Sequence, residues 1–323
     1  MVIRRILYRS SIVQVFFLDA KVISVGNLVL GGTGKTPLCI AICRELMVKG
    51  FRPAILSRGY RSGLPKNGWA YFMSGEVVSG SQDCDRSGIH ADEARMASYL
   101  LPGVPVIIGA NRINAYQQFS KIWLQQKPTH WVLEDGFQHL AIHRDFDIVI
   151  QAQKRGESGS PVVPFGFQRD PDFCLHFADH VIYPDEMFHV LNTGTTLYRL
   201  ERESPHLCPD TMWEELRSGR FPSFVLLTGI ARPKRVVETL SAKNIALTAT
   251  RFLRDHNLFS EDDEKWISSF PLSFIVFTTL KDYFREPAFF QKFGSRTIFL
   301  VDYQPSQIAV DSLLRSMKSH KIL

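Results

Sequence analysis

The chain has too little cysteine to be held together by disulfides. Its five cysteines, Cys39, Cys43, Cys84, Cys174 and Cys208, are odd in number and form no CxxC pair. This points away from a disulfide framework and toward a reducing, cytoplasmic compartment. The chain also lacks any apolar run near the roughly 18 residues that cross a bilayer, and it has no internal repeat or low-complexity tract. Acidic charge is in relative deficit: 38 Lys and Arg stand against 32 Asp and Glu, a net charge of +6. That excess favours an anionic partner such as a nucleotide, a phosphorylated substrate or an acidic membrane face. No basic-aromatic platform accompanies it, so nucleic acid is not an expected partner.

What is present is globular in composition, 45% hydrophobic and 22% charged over 323 residues. That length allows two domains or one large α/β domain. The first 20 residues interleave Ile3, Ile6, Leu7, Ile12, Val13, Val15, Phe16, Phe17 and Leu18 with Arg4, Arg5 and Arg9. No small-residue cleavage site follows, which argues against a signal peptide. Two readings stay open: a basic amphipathic segment lying on a membrane surface, or an N-terminal helix packed on the core.

Short apolar runs at 22–25, 53–56, 104–108, 131–133 and 147–150 alternate with helical stretches at 36–49, 91–101 and 111–126. Strands that are apolar throughout, separated by helices, predict a parallel sheet covered on both faces. Residues 60–90 are glycine-rich and read as a hairpin or lid above the carboxyl edge of that sheet. A second alternation begins near Phe221, with strands at 224–228, 245–250, 273–277 and 297–301 and helices at 233–243, 261–269, 287–292 and 306–318. The expected division is residues 1–215 and 216–323, with the joint in the proline-containing stretch 201–220.

The central motif is Gly31-Gly32-Thr33-Gly34-Lys35-Thr36. Backbone N–H groups in a glycine turn can converge on phosphate oxygens, and the following helix aims its positive end at the same anion. Lys35 would reach the β- and γ-phosphates of a nucleotide, and the Thr36 hydroxyl would ligate Mg²⁺. The spacing is a variant, because Val29 stands where the strict pattern requires glycine. The expected fold is therefore a P-loop NTPase-type parallel-sheet domain with a second, smaller α/β domain.

Glu134-Asp135 follows the apolar strand at 131–133, where Mg²⁺ bound beside a phosphate loop needs an acidic partner. Asp92 and Glu93 lie at a helix start, a position acids also favour for electrostatic reasons alone. Asp255-His256 suits proton transfer, although an isolated Asp-His pair is as readily structural. His139 and His143 have the spacing of a metal pair but no clear third ligand. Arg58 and Arg112, each after a strand, are candidate phosphate ligands.

Taken together these segments resemble the tetraacyldisaccharide 4'-kinases, the lipid A 4'-kinases of Gram-negative bacteria. The stretches that carry the likeness are VISVGNLVLGGTGKTP (22–37), ILSRGY (55–60), ADEARMAS (91–98), PVIIGANR (105–112), LEDGFQHLAIHRDFDIVI (133–150), GFQRDP (166–171), TGIARPKRV (228–236), RDHNLF (254–259) and FTTLKD (277–282). The resemblance implies an ATP- and Mg²⁺-dependent kinase acting on the 4'-hydroxyl of a tetraacylated glucosamine disaccharide 1-phosphate, the lipid A precursor. It implies a peripheral enzyme on the cytoplasmic face of the inner membrane. It places the catalytic aspartate on Asp92, the partner histidine on His256, the acidic pair on Glu134 and Asp135, and a further acid on Asp170. Because Asp92 and His256 fall in different domains, domain closure is expected to assemble them.

The departures are Glu134 for the family's first aspartate, Ala91-Asp92-Glu93-Ala94 for GDEP, Gly166-Phe167-Gln168-Arg169-Asp170-Pro171 for GPLREP, and Thr279-Leu280-Lys281-Asp282 for TEKD. The rival reading is a P-loop nucleotide switch or ATPase acting on a protein partner, though no NKxD-type guanine motif supports it.

Overall fold

Residues 22–27 of the strand β1 (Lys21–Asn27) are all buried, as a strand with helices on both faces requires. The computed structural model describes all residues except 1–4, 6, 9–11, 61, 82–88, 90, 124, 158, 188–194, 202–203 and 255–256. Around β1 lie β2 (Pro53–Ser57), the hairpin β3 (Trp69–Met73) and β4 (Glu76–Gly80), β5 (Val106–Gly109), β6 (His130–Glu134), β7 (Phe146–Ile150) and β8 (His180–Ile182). Among the described residues they form an eight-stranded sheet in the order β4-β3-β5-β2-β6-β1-β7-β8. Strands β5 to β8 of that order run parallel, and β3 joins β5 antiparallel. Of the two readings of the stretch 60–90, hairpin or lid, residues 69–80 follow the first: they form an edge hairpin of the sheet itself.

Helices α1 (Lys35–Val48), α2 (Asp92–Leu100) and α3 (Arg112–Ile122) connect the parallel strands. One core cluster holds Val22, Leu56, Ile107, Trp131 and Leu133 with Phe119 of α3, and another holds Leu28, Phe137 and Val149 with Cys174, against which Leu175 and Phe177 pack. Cys39 and Cys43 are core residues of α1, free and buried.

The chain divides into two units, Met1–His189 with Pro305–Leu323, and Val190–Gln304. This differs from the expected joint near residue 215 for two reasons. Strands β9 (Thr195–Glu201) and β10 (Ser204–Leu207) belong to the second unit, because β9 pairs antiparallel with β14 (Ile298–Tyr303). The helix α10 (Gln307–Ser319) returns to the first unit. It packs on β8 and on the short helix α4 (Pro184–Met187), with the Ser306 amide donating to the Met187 carbonyl at 2.9 Å. Both tertiary contacts join residues distant in sequence, which local periodicity does not report.

The second unit is a smaller α/β sheet, β10-β9-β14-β13-β11-β12, with β11 (Phe224–Thr228), β12 (Leu247–Phe252) and β13 (Ile275–Thr279). Its parallel core is β14-β13-β11-β12. The helices α5 (Met212–Arg217), α6 (Pro233–Ala242), α7 (Glu261–Ser268), α8 (Leu280–Arg285) and α9 (Pro287–Gln291) complete it. Its core holds Trp213, Leu226, Leu240, Phe277 and Phe299.

At the N-terminus, Arg5 is buried and Phe16 bridges to Ile142, whereas Ile12 and Phe17 are exposed. The described part of this segment therefore contributes to the first unit's packing. Arg4 and Arg9, expected on a polar face, lie outside the described residues. No helix among the described residues is long and apolar enough to cross a membrane.

Candidate active site

The phosphate loop leaves the carboxyl end of β1 and turns into α1. Gly31 and Gly34 take φ of 109° and 92°, a left-handed region that glycine adopts without a Cβ clash. Asn27 pins the turn from below, its Nδ2 donating to Thr33 Oγ1 at 3.0 Å and to the Gly31 carbonyl at 3.4 Å. Val29, the residue that breaks the strict motif, is buried in an antiparallel bridge with Gln168. It needs no positive φ, so glycine is dispensable there. No side chain caps the start of α1 and no acid occupies its first turn. A capping side chain is worth about 1 kcal/mol. Its omission leaves that amide end to an anion.

The acids of the strand end face this loop. The Thr36 hydroxyl donates to Glu134 Oε1, and Ser57 donates to the same carboxylate. Burial pushes the Glu134 carboxyl up, and the nearby Glu93 charge adds to the push. That coupling places the start of α2, with Asp92 and Glu93, in the same electrostatic neighbourhood as the strand end. Asp92 is itself buried at the head of α2, its Oδ1 accepting from the Glu93 amide at 2.9 Å. Asp135 adopts a φ of 52°, a strained setting for a side-chain-bearing residue. Lys35 Nζ lies 3.4 Å from its Oδ1, and Arg169 Nη1 lies 2.9 and 2.7 Å from its two oxygens. Burial acts to raise the Asp135 carboxyl, but Lys35, Arg169 and Arg112 outweigh it and hold the group below the usual carboxylate range.

Arg112 sits behind this pair, its Nη2 donating to the carbonyls of Glu134 at 2.7 Å and Asp135 at 3.1 Å. Burial draws its guanidinium down to about 10, against the pull of Asp135 and Glu134; Arg58 and Arg169 are close enough to add to the lowering. Arg112 thus holds the backbone of the acidic pair, and Arg58 is exposed beside it.

The remaining predicted residues are Asp170 and His256. Asp170 bonds to side chains outside the phosphate loop. It is fully buried, its Oδ2 accepting from Arg5 and from Gln138 Nε2, each at 3.1 Å. Its neighbour Arg169 is the residue that reaches the cluster, and sequence reasoning passed over it. In extended chain successive side chains point to opposite faces, so an offset of one residue exchanges the two roles. His256, with Asp255, lies outside the described residues. A cavity of about 360 Å³, lined by Phe51, Pro53, Pro105 and Trp123, opens at the amino ends of β2 and β5, the opposite edge from this cluster.

The family model for tetraacyldisaccharide-1-phosphate 4'-kinase, LpxK, matches residues 1–318. The chain belongs to the tetraacyldisaccharide 4'-kinase family. Relatives bearing that description include one from Geobacter sulfurreducens, 31% identical over 273 residues that cover 80% of this chain and 72% of the relative. Another, from Actinobacillus succinogenes, is 30% identical over 264 residues, covering 80% and 74%. A crystal structure of LpxK from Aquifex aeolicus in complex with ATP aligns with a TM-score of 0.70 at 23% identity, covering 98% of this chain and 94% of that one. That likeness supports the two-unit α/β fold of this 4'-kinase family member.

Proposed function

We propose that the chain transfers the γ-phosphate of ATP to the 4'-hydroxyl of a tetraacyl glucosamine disaccharide 1-phosphate, at the membrane face where that lipid resides. The observation that carries this reading is an uncapped phosphate-loop helix facing the buried Glu134, the part-exposed Asp135 and the cations Lys35, Arg112 and Arg169, in a chain matched by the kinase family over residues 1–318. Gly31, Gly32, Thr33, Gly34 and Lys35 would cradle the phosphates through backbone amides and the Lys35 ammonium. Lys35 and Arg169 both lean on Asp135, and incoming phosphate oxygens would draw these cations across.

The hydroxyl of Thr36 and the two carboxylates of Glu134 and Asp135 fit Mg²⁺, a hard cation held through one or two carboxylates with phosphate oxygens and water completing its shell. When bound, Mg²⁺ would neutralise charge building up on the β- and γ-phosphates. Asp170, whose Oδ2 is engaged by Arg5 and Gln138 while its Oδ1 is buried without a hydrogen-bond partner among the described residues, is assigned to holding the segment behind Arg169 in place. Asp92 is the proposed base, with His256 its partner as the resemblance implies. The 4'-oxygen forms a bond to the γ-phosphorus as the bond to the β–γ bridging oxygen breaks. ADP leaves with that oxygen, and the hydroxyl proton passes to the Asp92 carboxylate.

The test is incubation with γ-labelled ATP and the lipid disaccharide. Label recovered in the lipid is the expected result. ATP hydrolysis without labelled lipid would instead mark a nucleotide switch. In the same assay Asp92→Ala should lower kcat by roughly 10²–10⁴, the range for a lost general base, with ATP affinity little changed. A collapse of ATP binding would make Asp92 a nucleotide ligand and not the base.

A further inference from the structure

Residues 159–169 run beside the phosphate loop and are fixed to it. The Leu30 amide donates to the Phe167 carbonyl at 2.8 Å, and the Arg169 amide to the Leu28 carbonyl at 2.6 Å. Inside the loop, the Val163 amide reaches the Gln168 carbonyl at 2.8 Å and the Phe165 amide the Val162 carbonyl at 3.0 Å. Asp172 closes the base, accepting from the Gly159 amide at 2.8 Å and from Gln168 Nε2 at 2.7 Å. The backbone is thus held, yet its tip is apolar and turned to solvent. Phe165 is 88% and Phe167 72% exposed, and Val163 and Leu30 are about half exposed beside them.

Singly exposed apolar residues are normal on any surface. Here two aromatics and two aliphatics share one hydrogen-bonded loop pair, and such contiguous patches mark interaction sites. Polar Gln168, by contrast, is buried under the tip. The loop's inside and outside are inverted relative to what water alone would favour.

The position of this tip says what covers it. Phe167 precedes by two residues the Arg169 whose guanidinium holds Asp135. Two extended residues span about 7 Å, so the aromatics stand at the rim of the phosphate cluster. On the proposed function, the acceptor at that rim is a disaccharide whose acyl chains lie in a bilayer. With no helix among the described residues able to span a membrane and a net charge of +6, contact would be interfacial and aided by anionic lipid. Aromatic side chains favour that boundary. We propose that the tip formed by Val163, Phe165 and Phe167, with Leu30, enters the hydrocarbon boundary of the membrane and sets the phosphate cluster at the depth of the lipid headgroups. This rests on the kinase reading for its acceptor, and it locates membrane contact on a loop of the site, apart from the N-terminal segment.

The test uses the full chain and vesicles of phosphatidylethanolamine and phosphatidylglycerol without acceptor lipid. The double variant Phe165→Ser, Phe167→Ser should bind these vesicles at least tenfold more weakly than the wild type. Its kcat on acceptor presented in detergent micelles should stay within about twofold. As a second measurement, Phe165→Trp should add blue-shifted emission on vesicle addition, quenched by lipids brominated on the acyl chain. Unchanged vesicle binding, or no added blue shift, overturns the proposal. Two further results would also overturn it. A difference appearing only when the vesicles contain acceptor would assign the tip to the acceptor's own acyl chains. Dimerisation of the wild type in sedimentation velocity, lost in the double variant, would assign it to a second copy of this chain. Tip-dependent vesicle binding with no phosphate transfer by the wild type would uphold the tip and remove the kinase reading.

Discussion

Each unit places a carboxylate just beyond the carboxyl end of a parallel strand, and the two are treated in opposite ways. In the second unit Asp282 is fully buried and saturated. It accepts from Thr228 at 2.6 Å, Thr279 at 2.7 Å and the Gly229 amide at 3.1 Å, and Arg285 lies 3.1 Å away. Thr279 in turn caps α8, and Arg285 reaches the carbonyls of Gly229 and Asn257. In the first unit Glu134 is buried with its carboxyl pushed up by that burial, Asp135 is partly exposed between two cations, and α1 has no cap. A closed network is architecture. A cluster that leaves helix amides and cations available is prepared for a ligand. The motif Thr279-Leu280-Lys281-Asp282, read from sequence beside the catalytic ones, falls on the architectural side.

The contrast can be broken most forcefully at Asp282. Asp282→Ala strands a buried guanidinium and two hydroxyls, and should cost about 3–5 kcal/mol in denaturant unfolding. A loss below about 1 kcal/mol would deny the network its structural role. At the other cluster, Arg169→Ala should reduce kcat by roughly 10², as for a lost charge-stabilising donor. Stability should change by less than about 1 kcal/mol, since the pair is part-exposed. If its melting temperature fell as far as that of Asp282→Ala, the two clusters would not differ in kind.

The smallest and most diagnostic effect belongs to Glu134→Gln. The Glu134 carboxyl is raised in the fold, so its ionisation favours the unfolded chain. Stability is full below the unfolded value and is lost as pH rises through the folded one. The variant lacks that loss. Without nucleotide or metal it should therefore melt above the wild type at pH 8, and the gap should close on acidification, while phosphate transfer falls. A variant that melts lower at pH 8 would mean Glu134 is held for stability, as Asp282 is.

Much of this was legible in the sequence because it is local. Strand periodicity located β1, β2, β6 and β11 to within two residues at each end, and the glycine spacing located the loop around Lys35 and Thr36. Glu134 and Asp135 were found because strand ends are where such acids sit. Side-chain direction was not legible: Arg169 and Asp170 are adjacent, and only the fold turns one toward Asp135 and the other toward Arg5. Long-range pairing was equally hidden, so the β9–β14 ladder and the return of α10 shifted the division from 215 to 190 and 304. The role of Phe165 and Phe167 carried no sequence signal, since apolar residues in a short loop read as ordinary until their exposure is known.

The return of α10 bears on how the chain is made. Synthesis runs from the N-terminus, so the second unit, Val190–Gln304, is finished on the ribosome before the first unit has its last helix. Until then β8 lacks its cover, and His130, at the start of β6, lacks the Ile322 carbonyl its Nε2 meets at 2.9 Å. All eight strands of the sheet that carries the phosphate loop precede the second unit in the chain, so what arrives late is one covering helix and not a strand. A chain clipped before Gln307 would therefore keep every strand of both sheets while leaving β8 and the amino end of β6 without their late partners.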